Sequence, residues 1–216
     1  MRKLLEFHRS PNCVKVRVAL TFKGLDYTTE EMMSADRQPM LDAAGWPMVP
    51  ILLDGTVAMR DSAAILHYLE SNYRDAPSLT PASRNDIRTV EALMGNLNPD
   101  VLRIQWAIYP EILKPEGERD GARVAAAGRE LSEALARLEE RLGGQEWLAG
   151  DAMSLYDVIL ACNLLPARPP ARFIADSPLW KFFGKNLALG DDRAHVAAWI
   201  DRVASHDGGA RPAPAG

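Results

Sequence analysis

The apolar pattern of this 216-residue chain predicts an α/β unit followed by an all-α remainder. Three observations carry that expectation. Short strand-like runs stand at residues 3–7 and 49–60, the period switches to that of a helix from Asn12, and after a Pro- and Ser-rich stretch at residues 74–83 nearly everything follows helical spacing.

"KLLEF", residues 3–7, is brief, apolar and stopped by polar residues, and reads as a first strand. From Asn12 a helix is expected, with Val14, Val18, Phe22 and Leu25 on one face, Lys15 and Lys23 elsewhere, and a stop at Gly24. A second strand fits near residues 28–32, and residues 39–45 are short and ambiguous. In "VPILLDGTVAMR", residues 49–60, Asp54-Gly55 between two β-rich stretches predicts an antiparallel hairpin. "DSAAILHYLESNY" then offers a capping Asp61 or Ser62 and a helical pattern through Ile65, Leu66 and Leu69. The order is β-α-β-(short α)-β-β-α over residues 1–76, with a linker at 74–83. Residues 84–113 and 121–142 read as long helices of a second domain spanning 84–210. Ser154 and Asp157 stand at capping-box spacing before "VILACNLL", with Asp in place of the usual Glu or Gln. Residues 211–216 read as a flexible tail.

A net charge of −4 and the absence of a Lys/Arg run argue against a nucleic-acid footprint. No apolar run is long enough to cross a bilayer, and Glu6, His8 and Arg9 interrupt the N-terminal apolar stretch, so a cytoplasmic protein without a signal peptide is expected. Two cysteines and four histidines, scattered along the chain, offer no metal-ligand cluster, and no metal is expected. Cys162, inside an apolar helix, reads as buried and inert.

"RSPNCVKVRVAL", residues 9–20, carries the chemistry. A helix opening directly after a strand presents N–H groups without intrahelical partners, and these together with the macrodipole favour an anion. Ser10 takes the N-cap position and Pro11 the first helical one. Val49-Pro50 stands where a strand begins and a proline has no ladder N–H to give, a place that often marks a constrained, sometimes cis, peptide. At Asp61-Ser62 a second helix start could hold a carboxylate on its amides, while Asp61 pairs with an ammonium group. Together these describe a site for a zwitterionic peptide.

The succession "SPNCVKVRVAL", "MVPIL", "DSAAILHYLE", a proline-rich linker, a helical half with "LAGDAMSLYDVIL", and "AAWIDRV" resembles the cytosolic glutathione transferases over nearly the whole chain. The resemblance implies a thioredoxin-like N-terminal domain, an all-helical C-terminal domain and a two-fold homodimer. It implies a glutathione-dependent enzyme that activates the glutathione thiolate for attack on a small electrophile by conjugation, dehalogenation, isomerisation or reduction, with glutathione as co-substrate. Met48, Val49 and Pro50 fall where the family holds the cysteinyl part of glutathione, with Pro50 cis, and Asp61 and Ser62 match the segment for its γ-glutamyl end.

Ser10 matches the position of the family's catalytic Ser or Cys. "Ser-Pro-Asn" also looks like a bacterial subgroup in which Ser or Thr and Asn both line the sulfur site, so Asn12 joins Ser10 as a catalytic candidate. A free thiol titrates near about 8.5, leaving only a few per cent thiolate at neutral pH, and a helix N-terminus with a hydroxyl donor raises that fraction. Cys13, three residues after Ser10, has two readings: a first-turn thiol with lowered pKa that forms a mixed disulfide in glutaredoxin-like chemistry, or an inward small hydrophobe. Arg103, Trp106 and Tyr109 lie at helical spacing in the helix that borders the family's electrophile pocket, and read as pocket wall or as ordinary packing with a solvated Arg.

One departure stands out. "GWPMVPIL" places Trp46 and Pro47 where the family has Gly-Lys-Val-Pro, which narrows or covers the glutathione groove and motivates the alternative of a non-catalytic, transferase-like binding protein. No tyrosine stands at the end of the first strand, where Phe7 and His8 are found, so a tyrosine-type mechanism is excluded.

Overall fold

The structure is a computed structural model and describes residues 1–33 and 35–209. The expected tail at 211–216, and Ala210 at the expected domain end, lie outside the described residues. The chain divides into two compact units: Met1–Thr80 together with the described residues from Val203 on, and Pro81–Arg202.

The first unit runs β1 (Arg2–Glu6), α1 (Pro11–Phe22), β2 (Tyr27–Glu31), α2 (Gln38–Ala44), β3 (Ile51–Asp54), β4 (Val57–Arg60) and α3 (Ser62–Asn72). The sheet order is β2-β1-β3-β4. β1 pairs parallel with β2, which requires the crossover that α1 supplies, and antiparallel with β3, which in turn pairs antiparallel with β4. The thioredoxin-like expectation therefore holds, and the ambiguous residues 39–45 resolve into α2, stopped by Gly45. Leu5, Met32, Met40 and Ile51 form a buried cluster on which Phe7 and Val49 pack.

Two local expectations change. The hairpin loop is Gly55-Thr56 rather than Asp54-Gly55, because Asp54 pairs with Val57 and stays in β3. Gly55 has φ 60, and among the described non-glycine residues only Asp61 has a positive φ, so the glycine takes the first loop position, as in a type II′ turn. Asp54 is retained in the strand by the hydroxyls of Tyr68 (3.1 Å) and Tyr73, which both donate to its Oδ2.

α1 also differs from an amphipathic surface helix, since every residue from Cys13 to Leu20 is buried. Its charged side chains are each satisfied internally. Lys15 donates to Asn12 Oδ1 at 2.7 Å, Arg17 reaches Glu6 and Asp207, and Lys23 donates to Glu70 Oε1 (2.7 Å) and to the carbonyl of Pro77 (2.9 Å). The stop falls as expected at Gly24, whose φ of 65 lets Leu25 N close back on the carbonyl of Leu20 at 2.9 Å. Glu70 also accepts from Ser78 Oγ, Leu79 N and Thr80 Oγ1 at 2.9–3.0 Å, which fastens the Pro- and Ser-rich segment to α1 and α3. Burial alone would raise the Glu70 carboxyl, but Lys23 and these donors outweigh it and hold the pKa below the usual value.

The second unit is helical: α4 (Arg84–Ile112), α5 (Gly121–Ala134), α6 (Ala136–Gly143), α7 (Leu155–Leu164), α8 (Ala171–Ile174), α9 (Pro178–Asn186) and most of α10 (Ala194–Ala204). The single helix expected at 121–142 is bent into α5 and α6 at Leu135. Hydrogen bonding continues through the bend, from Leu135 N to the Leu131 carbonyl (3.0 Å) and from Glu139 N to the Leu135 carbonyl (2.9 Å). One buried stripe, Leu131, Leu135, Leu138 and Leu142, runs across it, so the bend keeps a common apolar face inward.

The capping pair is present and more connected than its spacing suggests. The fully buried Asp157 accepts from Ser154 N (2.8 Å), Ser154 Oγ (2.6 Å), Leu148 N (2.8 Å) and Trp199 Nε1 (2.9 Å). One carboxylate thus joins the start of α7, the loop before it and α10.

Candidate active site

The register decides which segments meet. β1 ends where β3 begins, at Leu5↔Ile51, and β4 ends opposite that same point, at Ile51↔Arg60. The turn after β1 (residues 7–10), the segment before β3 (Val49-Pro50) and the start of α3 (Asp61-Ser62) are therefore gathered at one end of the sheet, although the first stands some forty to fifty residues before the other two in sequence. Ser62 Oγ donates to Asn12 Oδ1 at 3.5 Å, which ties the N-terminus of α3 to that of α1.

Ser10 is the N-cap residue of α1 in extended conformation, and its side chain accepts no capping hydrogen bond. Its carbonyl accepts from Cys13 N and Val14 N at 2.9 Å. The hydroxyl lies beside the Cys13 sulfur, where it favours the thiolate. Asn12 is exposed, its Oδ1 shared between Lys15 and Ser62.

Cys13 does not have the lowered pKa that its first-turn position suggested. The residue is 0% exposed, and burial pushes the thiol up to about 12, against the weaker pull of the Phe7 backbone and the Ser10 hydroxyl. Burial outweighs the helix N-terminus because the sulfur faces the core rather than the open end of the amides. After treatment with oxidised glutathione at neutral pH, intact-mass measurement of the folded protein is expected to show no adduct at Cys13. Cys162 is likewise buried.

Val49-Pro50 is a cis peptide, as expected, and Pro50 is buried. Val49 lies beyond the last β1 pair, so its backbone groups are not taken up by that ladder. Met48 is 51% exposed. Asp61 holds φ 70, a conformation rare outside glycine, and caps α3 by accepting from Ala64 N at 2.9 Å. Ser62, beside it, is buried.

Trp46 does not enter the core. It is 44% exposed, with the Arg60 guanidinium 4.7 Å from its ring centre, while Arg37 donates to the Pro47 carbonyl and covers the Phe7 ring at 5.4 Å. The two arginines bring positive charge to this end of the sheet. Sequence reasoning passed over both; the signal available was the position of Arg60 directly before Asp61, at the end of a hairpin strand.

Arg103, Trp106 and Tyr109 belong to α4 in the second unit. Trp106 and Tyr109 stack with ring centres 5.2 Å apart, and Trp106 is 66% exposed. Arg103 is paired with Asp100 (3.1 Å) and Glu130 (2.5 Å), so its charge is already matched within its own unit. No cluster of three metal-binding side chains occurs among the described residues.

A thioredoxin-like sheet with a helix start and a cis-proline at one end, followed in the chain by a helical unit, is the two-domain architecture that the resemblance implies. Family models agree: the glutathione S-transferase N-terminal domain matches residues 4–77 and the C-terminal domain matches residues 100–207. Maleylacetoacetate isomerase of Pseudomonas aeruginosa is 31% identical over 81% of this chain and 89% of its own length. Glutathione S-transferase 3 of Zea mays is 29% identical over 98% of this chain and 90% of its own. Among solved structures, rice GST1 in complex with glutathione superposes with a TM-score of 0.67 at 24% identity over 99% of this chain and 92% of that one. The chain belongs to the glutathione S-transferase family, and is a glutathione-dependent transferase.

Proposed function

We propose that Ser10 is the residue directed at the glutathione sulfur, and that the protein holds glutathione as a thiolate for attack on a small electrophile. The observation that carries this is the state of its hydroxyl: it stands at the open end of α1 without a capping role. Burial keeps Cys13 as a neutral thiol, so the Ser10 hydroxyl has no charged acceptor at that sulfur and its proton is available to an external acceptor such as a thiolate. The proton leaves the glutathione thiol for solvent, the N-terminal amides and the hydroxyl stabilise the anion, and the sulfur attacks the electrophile without a covalent enzyme intermediate.

In this reading Val49 offers its backbone to the cysteinyl part of glutathione, with Pro50 and Met48 shaping the approach. Ser62 and the first amides of α3 take the γ-glutamyl carboxylate, while Asp61 pairs with the ammonium group. Arg37 and Arg60 supply positive charge for the glycyl carboxylate. Asn12 holds Ser62 and Lys15 in place. The buried thiol takes the redox role away from Cys13 and disfavours glutaredoxin-like chemistry. Trp46, out on Arg60 rather than in the core, is compatible with an open groove and disfavours the non-catalytic alternative.

The names of the relatives point to two reaction types: transfer, as for the maize protein, and isomerisation, as for the Pseudomonas protein. A homodimer in the cytoplasm accompanies this reading. β4 is an edge strand with Val57 exposed, an edge of the kind that proteins cover. The test is calorimetry: wild-type protein is expected to bind glutathione at micromolar to low-millimolar concentration, and Ser62→Ala to weaken it about tenfold, the loss of one charge-assisted hydrogen bond. No binding by either protein sinks the assignment.

A further inference from the structure

Arg17 stands in the middle of α1 with none of its side chain exposed. Every nitrogen of its fork is engaged. Nε and Nη2 donate to the two carboxylate oxygens of Asp207 at 2.7 and 2.9 Å, Nη1 donates to Glu6 Oε2, and Nη2 also donates to the carbonyl of His8 at 3.0 Å. Asp207 lies 190 residues further along the chain, in the segment that follows α10 and belongs to the first unit. That segment is fixed by Gly209 N, which donates to Asp207 Oδ1 at 3.1 Å, and by His206, edge-on to Phe22 at 5.6 Å.

The His8 carbonyl is the informative contact, because it belongs to the turn that delivers Ser10. Among the bonds that hold that turn are Ser10 N to the Phe7 carbonyl (2.8 Å), His8 N to Glu31 Oε2 (2.8 Å), and Arg17 to the His8 carbonyl. The first lies within the turn and the second reaches β2, whereas the third depends on how Asp207 orients the guanidinium. A buried ion cluster is weak evidence for stability, since apolar side chains of similar volume do as well. A bidentate fork that fixes one planar group against one carbonyl is suited to positioning.

We propose that Asp207 is a positioning residue: through Arg17 it sets the turn at residues 7–10, and the chain's C-terminal segment thereby aims the Ser10 hydroxyl at the glutathione sulfur. The proposal rests on the reading of Ser10 given above. The charged and titratable groups around the turn include Glu6, Arg17, Asp207, Glu31 at β2, Arg37 over the Phe7 ring, and the turn's own His8 and Arg9. Removing the negative charge of Asp207 would, by relief of Coulomb repulsion alone, favour a nearby thiolate. Misplacing the hydroxyl disfavours it, so the sign separates geometry from charge.

The experiment compares Asp207→Asn, Asp207→Glu, His206→Ala and Ser10→Ala with the wild type, reading glutathione affinity by calorimetry and bound thiolate by ultraviolet difference absorbance at neutral pH. Asp207→Asn is expected to lower the thiolate fraction on the order of tenfold with affinity kept within about threefold, as for a misaligned group. Asp207→Glu should restore part of the signal. His206→Ala loosens the same segment without touching Arg17 and should leave the signal intact. A folded Asp207→Asn protein with unchanged or increased thiolate overturns the proposal, and so does equal loss in His206→Ala. Should Asp207→Asn fail to fold, Asp207→Glu against His206→Ala makes the same comparison. Thiolate lost in Ser10→Ala but kept in Asp207→Asn overturns the positioning role alone, whereas thiolate kept in Ser10→Ala overturns the underlying reading as well.

Discussion

Ser10→Ala is expected to lower glutathione-dependent turnover by about a hundredfold while glutathione affinity changes little. The hydroxyl is argued to stabilise charge on the sulfur and to contribute little to holding the peptide, whose carboxylates and backbone are met elsewhere. Losing one preorganised donor to a developing or standing anion costs on the order of 10²-fold in rate. The pattern to look for in steady-state kinetics is therefore a fall in kcat and kcat/KM together with a nearly constant dissociation constant for glutathione. Asn12→Ala separates the two polar candidates: Asn12 is exposed and acts on Lys15 and Ser62, so its loss should appear mainly in glutathione binding. Equal turnover by Ser10→Ala and the wild type would remove Ser10 from the chemistry.

Asp157→Ala is expected to be the most damaging single change to stability, at about 3–5 kcal/mol, because it strands several buried donors at once. Leu148 N, Ser154 N and Trp199 Nε1 all lose their acceptor, and Trp199 is 0% exposed, so none of these donors has ready access to water. Thermal unfolding should show a midpoint lower by about 10 °C for a domain of this size. Asp157→Asn keeps an acceptor and the side-chain volume, and should recover part of the loss. A fall of less than about 1 kcal/mol would mean that the carboxylate is no more than an ordinary helix cap.

Much of this was legible in the chain because the signals were local. A change of apolar period, a glycine able to take positive φ at 24 and 55, a proline without an N–H at the head of a strand, and the Ser154–Asp157 spacing each depend on residues within one turn of each other. The motif order that resembles glutathione transferases compounds those local signals, so family and fold were both readable before any coordinates. The helix starts that hold the proposed site residues Ser10, Asp61 and Ser62 were readable for the same reason, since sequence marks such starts well.

Burial and long-range pairing were not legible, since they depend on where distant segments are brought. Helical spacing put Lys15 and Lys23 away from the apolar face of α1, yet both are buried, and Arg17 is buried with them, because Glu70, Glu6 and Asp207 arrive from three other segments to meet the charges of Lys23 and Arg17, while Asn12 within α1 accepts from Lys15. Cys13 has the same sequence context whether its sulfur faces the amides or the core, and only the packing of α1 on its unit turns it inward, where desolvation exceeds the pull of the helix terminus. Arg103 looks like a free cation in a string of letters and is matched by Asp100 one turn away and by Glu130 on the next helix. Local chain stereochemistry thus set the elements and their ends. The charge state and availability of each side chain followed from desolvation and from partners up to 190 residues away, which only the folded arrangement supplies.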